Sequence, residues 1–78
     1  MSNLEKYTQV FVEVFQAKEE EVKSFKYQES AGWDSVGHMS LVATLEDIFD
    51  IMLDTDDIID FSSYEKGVEL LKRYGVEF

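Results

Sequence analysis

The chain has 78 residues, no cysteine, no proline and a formal net charge of −10. That length allows one domain with a modest core, expected to supply only about 3–5 kcal/mol of stability. The composition excludes disulfides and thiolate metal sites, suits a reducing cytoplasm, and disfavours nucleic acid or anionic lipid as partners.

Met1-Ser2-Asn3-Leu4-Glu5 has neither a basic start nor an apolar core, and no stretch approaches the roughly 20 apolar residues of a membrane span. A soluble, cytoplasmic protein without a membrane span is expected. Ser2 and Glu5 have capping-box spacing, and Leu4, Tyr7, Val10, Phe11, Val14 and Phe15 recur at helical intervals. They predict a first helix ending near Ala17, with a stripe that packs the core because nothing on it can do chemistry. Lys18-Glu19-Glu20-Glu21 opens a long connection. With glycine only at Gly32, near its end, this loop must be held by side chains, and Val22, Phe25 and Tyr27 are the expected anchors. Trp33, the only tryptophan, is read as closing the loop onto the core.

A second helix is predicted from Ser35 to about Phe49. Leu41, Leu45, Ile48 and Phe49 form one strip and are expected to point inward. Val36, Met39 and Ala43 form another on the side reached from Ser35, bordered by Glu46 and Asp47. Part of this strip, Met39 included, is equally suited to packing in the core, and its exposed part, an apolar patch in an acidic rim, has the composition of a transient docking site. After a connection over 50–54, Thr55 is placed to cap a short third helix over 56–61, with Ile58, Ile59 and Phe61 available for burial. Ser62 and Glu65 repeat the capping-box spacing. They open a fourth helix with Tyr64, Val68, Leu71 and Tyr74 on one face; Gly75 ends it, and Val76-Glu77-Phe78 is expected to be a loosely held tail. Every periodic segment is helical, so the expected fold is all-α: a four-helix bundle with a long first loop and a short third helix.

The charge is one-sided. Between Lys26 and Lys66 there are ten acids and no lysine or arginine, whereas elsewhere seven acids face seven bases. The net charge therefore belongs to the part containing Ser35, which suits a partner with a basic docking patch.

Ser35 begins a helix, where unpaired N–H groups and the helix dipole favour a phosphate on its hydroxyl. A Ser35–His38 nucleophile and base pair is disfavoured. Both side chains leave the same turn, no oxyanion hole is in view, and Trp33 stands where a nucleophile elbow needs glycine. His38 is read instead as a surface residue that positions a prosthetic group or a partner. Asp54, Asp56, Asp57 and Asp60 lack the glycine and terminal glutamate of an EF-hand, so they are read as helix-start acids and no metal site is assigned.

Asp34-Ser35-Val36, followed by Leu41, Leu45, Glu46 and Phe49 and then by Asp50-Ile51 and Asp56-Asp57, resembles the Asp-Ser-Leu segment and later helices of acyl carrier proteins. The resemblance covers essentially the whole chain, 1–78, as a single carrier domain. It implies that a phosphopantetheinyl transferase attaches 4'-phosphopantetheine from coenzyme A covalently to Ser35. The thiol would then carry acyl or amino-acyl groups as thioesters between loading and processing enzymes of fatty-acid or specialised biosynthesis. It further implies that Asp34 orients the segment, that Val36, Met39, Glu46 and Asp47 dock partners, and that the protein is a monomer and not itself an enzyme. Gly37 and His38 follow the motif where fatty-acid members carry another acid, Ser40 and Ala43 replace an acid and a large apolar residue, and Asp54 stands in place of a frequent proline. Gly37 is similar to D-alanyl and other specialised carriers, which points away from housekeeping partners. The alternative is an unmodified acidic helical module that binds a basic partner through the exposed strip of the second helix.

Overall fold

The Ser2 hydroxyl accepts the Glu5 N–H at 3.1 Å, and the Ser2 N–H donates to the Glu5 carboxylate at 3.2 Å. This is the reciprocal cap that the spacing predicts. The bonds from the Ser2 backbone and then its side chain hold the Glu5 carboxyl below its ordinary value. The cap opens α1 (Asn3–Phe15) in a computed structural model that describes residues 2–30 and 32–78. There follow α2 (Glu19–Val22), α3 (Ser35–Phe49), α4 (Thr55–Asp60) and α5 (Tyr64–Arg73). The fold is all-α, with no strand among the described residues beyond one isolated bridge. It has one helix more than the sequence predicts, because the long connection contains the single turn α2, whose acids Glu19, Glu20 and Glu21 sit where a helix dipole favours them.

α1 lies along α3, and Tyr7, Val10 and Phe11 of the one share a buried core with Leu41, Val42 and Leu45 of the other. The connection is anchored as expected, with Val22 and Phe25 buried and Tyr27 half-buried against the core. A backbone clasp adds to these anchors. The Tyr27 N–H donates to the Ser62 carbonyl at 2.9 Å and the Tyr64 N–H to the Phe25 carbonyl at 3.0 Å, an antiparallel bridge centred on Lys26 and Ser63.

Several details differ from the sequence reading. The buried stripe of α3 is His38, Leu41, Val42 and Leu45, while Ile48 is 42% exposed and Phe49 only half-buried. The stripe starts a turn earlier because a hydrogen-bonded histidine takes a core position. α4 is capped at Asp54, not Thr55, and no side chain makes the cap bond. Instead, the Asp54 N–H donates to the Tyr74 hydroxyl at 2.9 Å, and that hydroxyl donates to the Asp57 carboxylate. Ile59 of α4 is exposed, whereas Phe61 is fully buried. α5 is capped by Ser63, whose hydroxyl accepts the Lys66 N–H at 3.0 Å, not by Ser62 with Glu65. The carboxy-terminal residues are docked rather than loose. Gly75, at φ +88°, lets its N–H reach the Lys72 carbonyl and the Val76 N–H reach the Leu71 carbonyl, each at 3.1 Å, with Val76 and Leu71 both buried. Asn3 donates to the Glu77 carbonyl at 2.8 Å, and the Phe78 ring meets Tyr7 edge-on at 5.6 Å. No helix among the described residues is long and apolar enough to cross a membrane.

The Tyr7 hydroxyl donates to the Tyr64 carbonyl at 2.6 Å inside the core. Burial, and secondarily the Tyr64 phenol, push Tyr7 well above the ordinary value of 10.0. A raised folded value means that the stabilisation is complete below that pH and is lost as pH rises above it, by at most about 1.4 kcal/mol per pH unit. The urea midpoint is therefore expected to fall between about pH 9 and about pH 11. Tyr7→Phe starts about 1 kcal/mol lower, because the Tyr64 carbonyl loses its donor, but declines less steeply. Equal slopes for the two proteins would refute this assignment.

Candidate functional site

Asp34 sets the site by starting α3. Its backbone is extended, its Oδ1 accepts the Gly37 N–H at 2.9 Å, and its carbonyl accepts the His38 N–H at 2.8 Å. Ser35 is therefore the first helical residue, with its side chain exposed. The Tyr27 hydroxyl lies 3.4 Å from Ser35 Oγ, a long contact in which either group can donate. The end of the connection crosses the first turn of α3 so closely that a Cβ on Gly37 would stand 2.1 Å from the Gly32 carbonyl oxygen. That close approach explains a glycine two residues after Ser35.

Trp33 plugs the junction, as the sequence reading expects. It is fully buried, stacked on Phe15 at 5.4 Å and edge-on to Phe11 and Phe61 at 5.4 and 5.9 Å. Its partner corrects the reading of His38 as a surface residue. His38 is buried, and the Trp33 indole N–H donates to His38 Nδ1 at 3.0 Å. An indole nitrogen only donates, so Nδ1 is the acceptor and Nε2 carries the ring proton. Nε2–H in turn donates to the Ile58 carbonyl of α4 at 2.7 Å. Neither ring nitrogen is left for Ser35, so His38 is not placed to act as its base. The residue sits three positions before Leu41 on the core face. Its polarity hid this, although its helical spacing from Leu41, Val42 and Leu45 was a usable signal.

Ser35 opens onto a shallow, mainly apolar groove of about 290 Å³ between α3, α4 and the connection, lined by Tyr27, Ser35, His38, Met39, Ile58 and Ile59. Val36, Met39 and Ile59 are 77%, 57% and 74% exposed. The sequence marks Tyr27 only as a loop anchor and Ile59 only as a residue for burial; no local pattern places either beside Ser35. Of the predicted docking residues, Val36 and Met39 adjoin Ser35 on the first turns of α3. Glu46 and Asp47 lie about 17 Å further along it at the usual helical rise. Asp47 is exposed. Glu46 is half-buried, and its carboxylate accepts the Leu53 N–H at 2.8 Å, holding the connection after α3.

The acids of α4 are partly engaged. Asp57 accepts from Tyr74 and from Arg73, the latter at 3.4 Å, and Asp60 lies 3.8 Å from Lys66. For Tyr74, the bond from the Asp54 N–H favours the phenolate. The bond to Asp57, burial and the charges of Asp54 and Asp57 outweigh it, leaving the hydroxyl above its ordinary value. Among the described residues no three His, Cys, Asp or Glu side chains converge as a metal site. No protein-family model matches the chain, and no curated protein matches it.

Proposed function

We propose that the chain is an acyl carrier protein, a cytoplasmic monomer whose helices form a four-helix bundle of carrier type with α2 as an ornament of its first loop. The observation that carries this reading is the exposed Ser35 hydroxyl at the first position of α3, standing at the mouth of an apolar groove. Phosphopantetheine fits the residues there. The Ser35 oxygen is accessible, the Tyr27 hydroxyl is near enough to donate to a phosphate oxygen after a small adjustment, and Met39, Ile58 and Ile59 offer apolar surface to the branched start of the arm. When bound, the group supplies a thiol that holds acyl cargo as a thioester.

The residues of the chain have supporting roles in this reading. Ser35 Oγ attacks the phosphorus of coenzyme A that bears the pantetheine; a new P–O bond forms, the pyrophosphate bond breaks, and adenosine 3',5'-bisphosphate leaves. The proton of Ser35 passes to a base of the transferase, because both His38 nitrogens are engaged. Asp34 fixes the hydroxyl at the helix start while its carboxylate is held by the Gly37 N–H. Val36, Met39 and Ile59, with the acidic surroundings, form the docking face for enzymes with basic patches. The chain has no catalytic role in this scheme. It tethers its cargo and replaces diffusion with a local effective concentration.

Incubation with coenzyme A, magnesium and a broad-specificity phosphopantetheinyl transferase is expected to add one phosphopantetheine to the wild type and none to Ser35→Ala, as read by intact mass. The variant should keep the wild-type circular dichroism, since Ser35 is exposed. The exposed Val36–Met39–Ile59 patch also suits an unmodified interaction module for a basic partner. No mass gain on folded wild type with several transferases would replace the carrier reading with that one.

A further inference from the structure

The route from Ser35 into the core is occupied. The His38 ring lies 5.0 Å from that of Tyr27 and 5.8 Å from that of Phe61, with Trp33 stacked at 6.2 Å. Through its two nitrogens it ties Trp33 of the connection to Ile58 of α4, so three segments close over the core at this point. Behind it, Trp33 and Phe61 are fully buried.

Resting on the carrier reading, we propose that this carrier does not shelter its cargo. The arm on Ser35 lies along the surface groove and its thioester end stays in solvent, so the cargo is a small or polar acyl group and not a long alkyl chain. An alkyl chain turning inward from Ser35 meets the His38 ring first. To pass between α3 and α4 it must break the bond from His38 to the Ile58 carbonyl. That leaves the N–H of the buried His38 and the carbonyl of the half-buried Ile58 facing an alkyl chain that cannot satisfy them. Beyond them it must displace Trp33 and Phe61 from a closely packed interior, where each loses its contacts. The outer groove gives no alternative shelter. It is shallow and open to solvent, and the arm itself already lies along it. A long chain would remain as exposed apolar surface.

The test loads the wild type from acetyl-, octanoyl- and palmitoyl-coenzyme A with the transferase and confirms each product by intact mass. Two quantities are then measured: the rate of thioester cleavage by hydroxylamine, and the melting temperature. The cleavage rates are expected to agree within about twofold along the series, with no rise in melting temperature from acetyl to palmitoyl; slowing by about tenfold or more would mark a buried thioester. Such slowing, or a melting temperature that climbs with chain length because the chain fills the fold, would overturn the proposal while leaving the carrier reading intact. Failure of every acyl donor to load folded protein would overturn both.

Discussion

Trp33→Ala is expected to abolish cooperative unfolding at room temperature. Removing a fully buried tryptophan ring costs about 3–5 kcal/mol, and a core of this size holds about 3–5 kcal/mol in reserve. The loss should exceed that of a ring elsewhere in the core, because Trp33 is also the donor that keeps His38 Nδ1 satisfied, and His38 holds α4 through Ile58. Trp33→Phe separates the two contributions. It keeps an aromatic ring against Phe11, Phe15 and Phe61 but orphans the imidazole nitrogen, for a loss of about 1–3 kcal/mol from that atom. The expected order of urea midpoints, followed by far-ultraviolet circular dichroism because the fluorophore is gone, is wild type, then Trp33→Phe, then Trp33→Ala with no resolvable transition. A cooperative Trp33→Ala transition close to that of the wild type would mean that the junction beneath Ser35 does not hold the fold together.

The long helix was legible from sequence because its ends carry local signals. Asp34 can cap, and Asp50 tolerates the left-handed backbone, at φ +53°, that stops the helix. Inside α3, apolar periodicity located Leu41 and Leu45 but rejected His38, since a histidine gains a core position only through partners. One of these, Trp33, lies five residues back, and the other, Ile58, twenty residues ahead on another helix. The shift from Ser62 to Ser63 has a similar cause. Adjacent serines offer equal capping chemistry, and the backbone clasp to Phe25 and Tyr27 selects between them. At the candidate site, Ser35, Val36 and Met39 follow from one helix and could be read directly. Tyr27 and Ile59 reach the same groove from the connection and from α4. Their arrival depends on the bridge at Lys26 and on the His38–Ile58 bond, neither of which has a periodic signature. Gly37 fell between these cases: its presence was visible, but its reason, the Gly32 carbonyl pressed on the first turn of α3, is tertiary.

Gly67→Ala is expected to destabilise the protein although the substitution improves helix propensity. Gly67 is buried in α5, an exposed helical position would gain about 1 kcal/mol from alanine, and propensity alone therefore argues for stabilisation. The geometry argues the other way. A Cβ at Gly67 would stand 2.1 Å from the Tyr7 hydroxyl and 2.4 and 2.7 Å from two atoms of the Phe61 ring. Neither neighbour is the free end of a flexible chain. Tyr7 is held by its bond to the Tyr64 carbonyl and Phe61 is fully buried, so relief requires moving α5 away from α1 or breaking that bond. Overpacking of this kind costs about 1–3 kcal/mol, and displacing the Tyr7 hydroxyl adds about 1–3 kcal/mol for an unsatisfied buried group. Even after the propensity gain, the sum takes most of the reserve of about 3–5 kcal/mol. The urea midpoint of Gly67→Ala should therefore fall well below that of the wild type. The double variant with Tyr7→Phe should lose less than the sum of the two single losses, because the clashing oxygen is gone. Additive losses, or a stabilised Gly67→Ala, would show that α5 moves freely enough to admit the methyl group and that its close approach to Tyr7 does not fix its position.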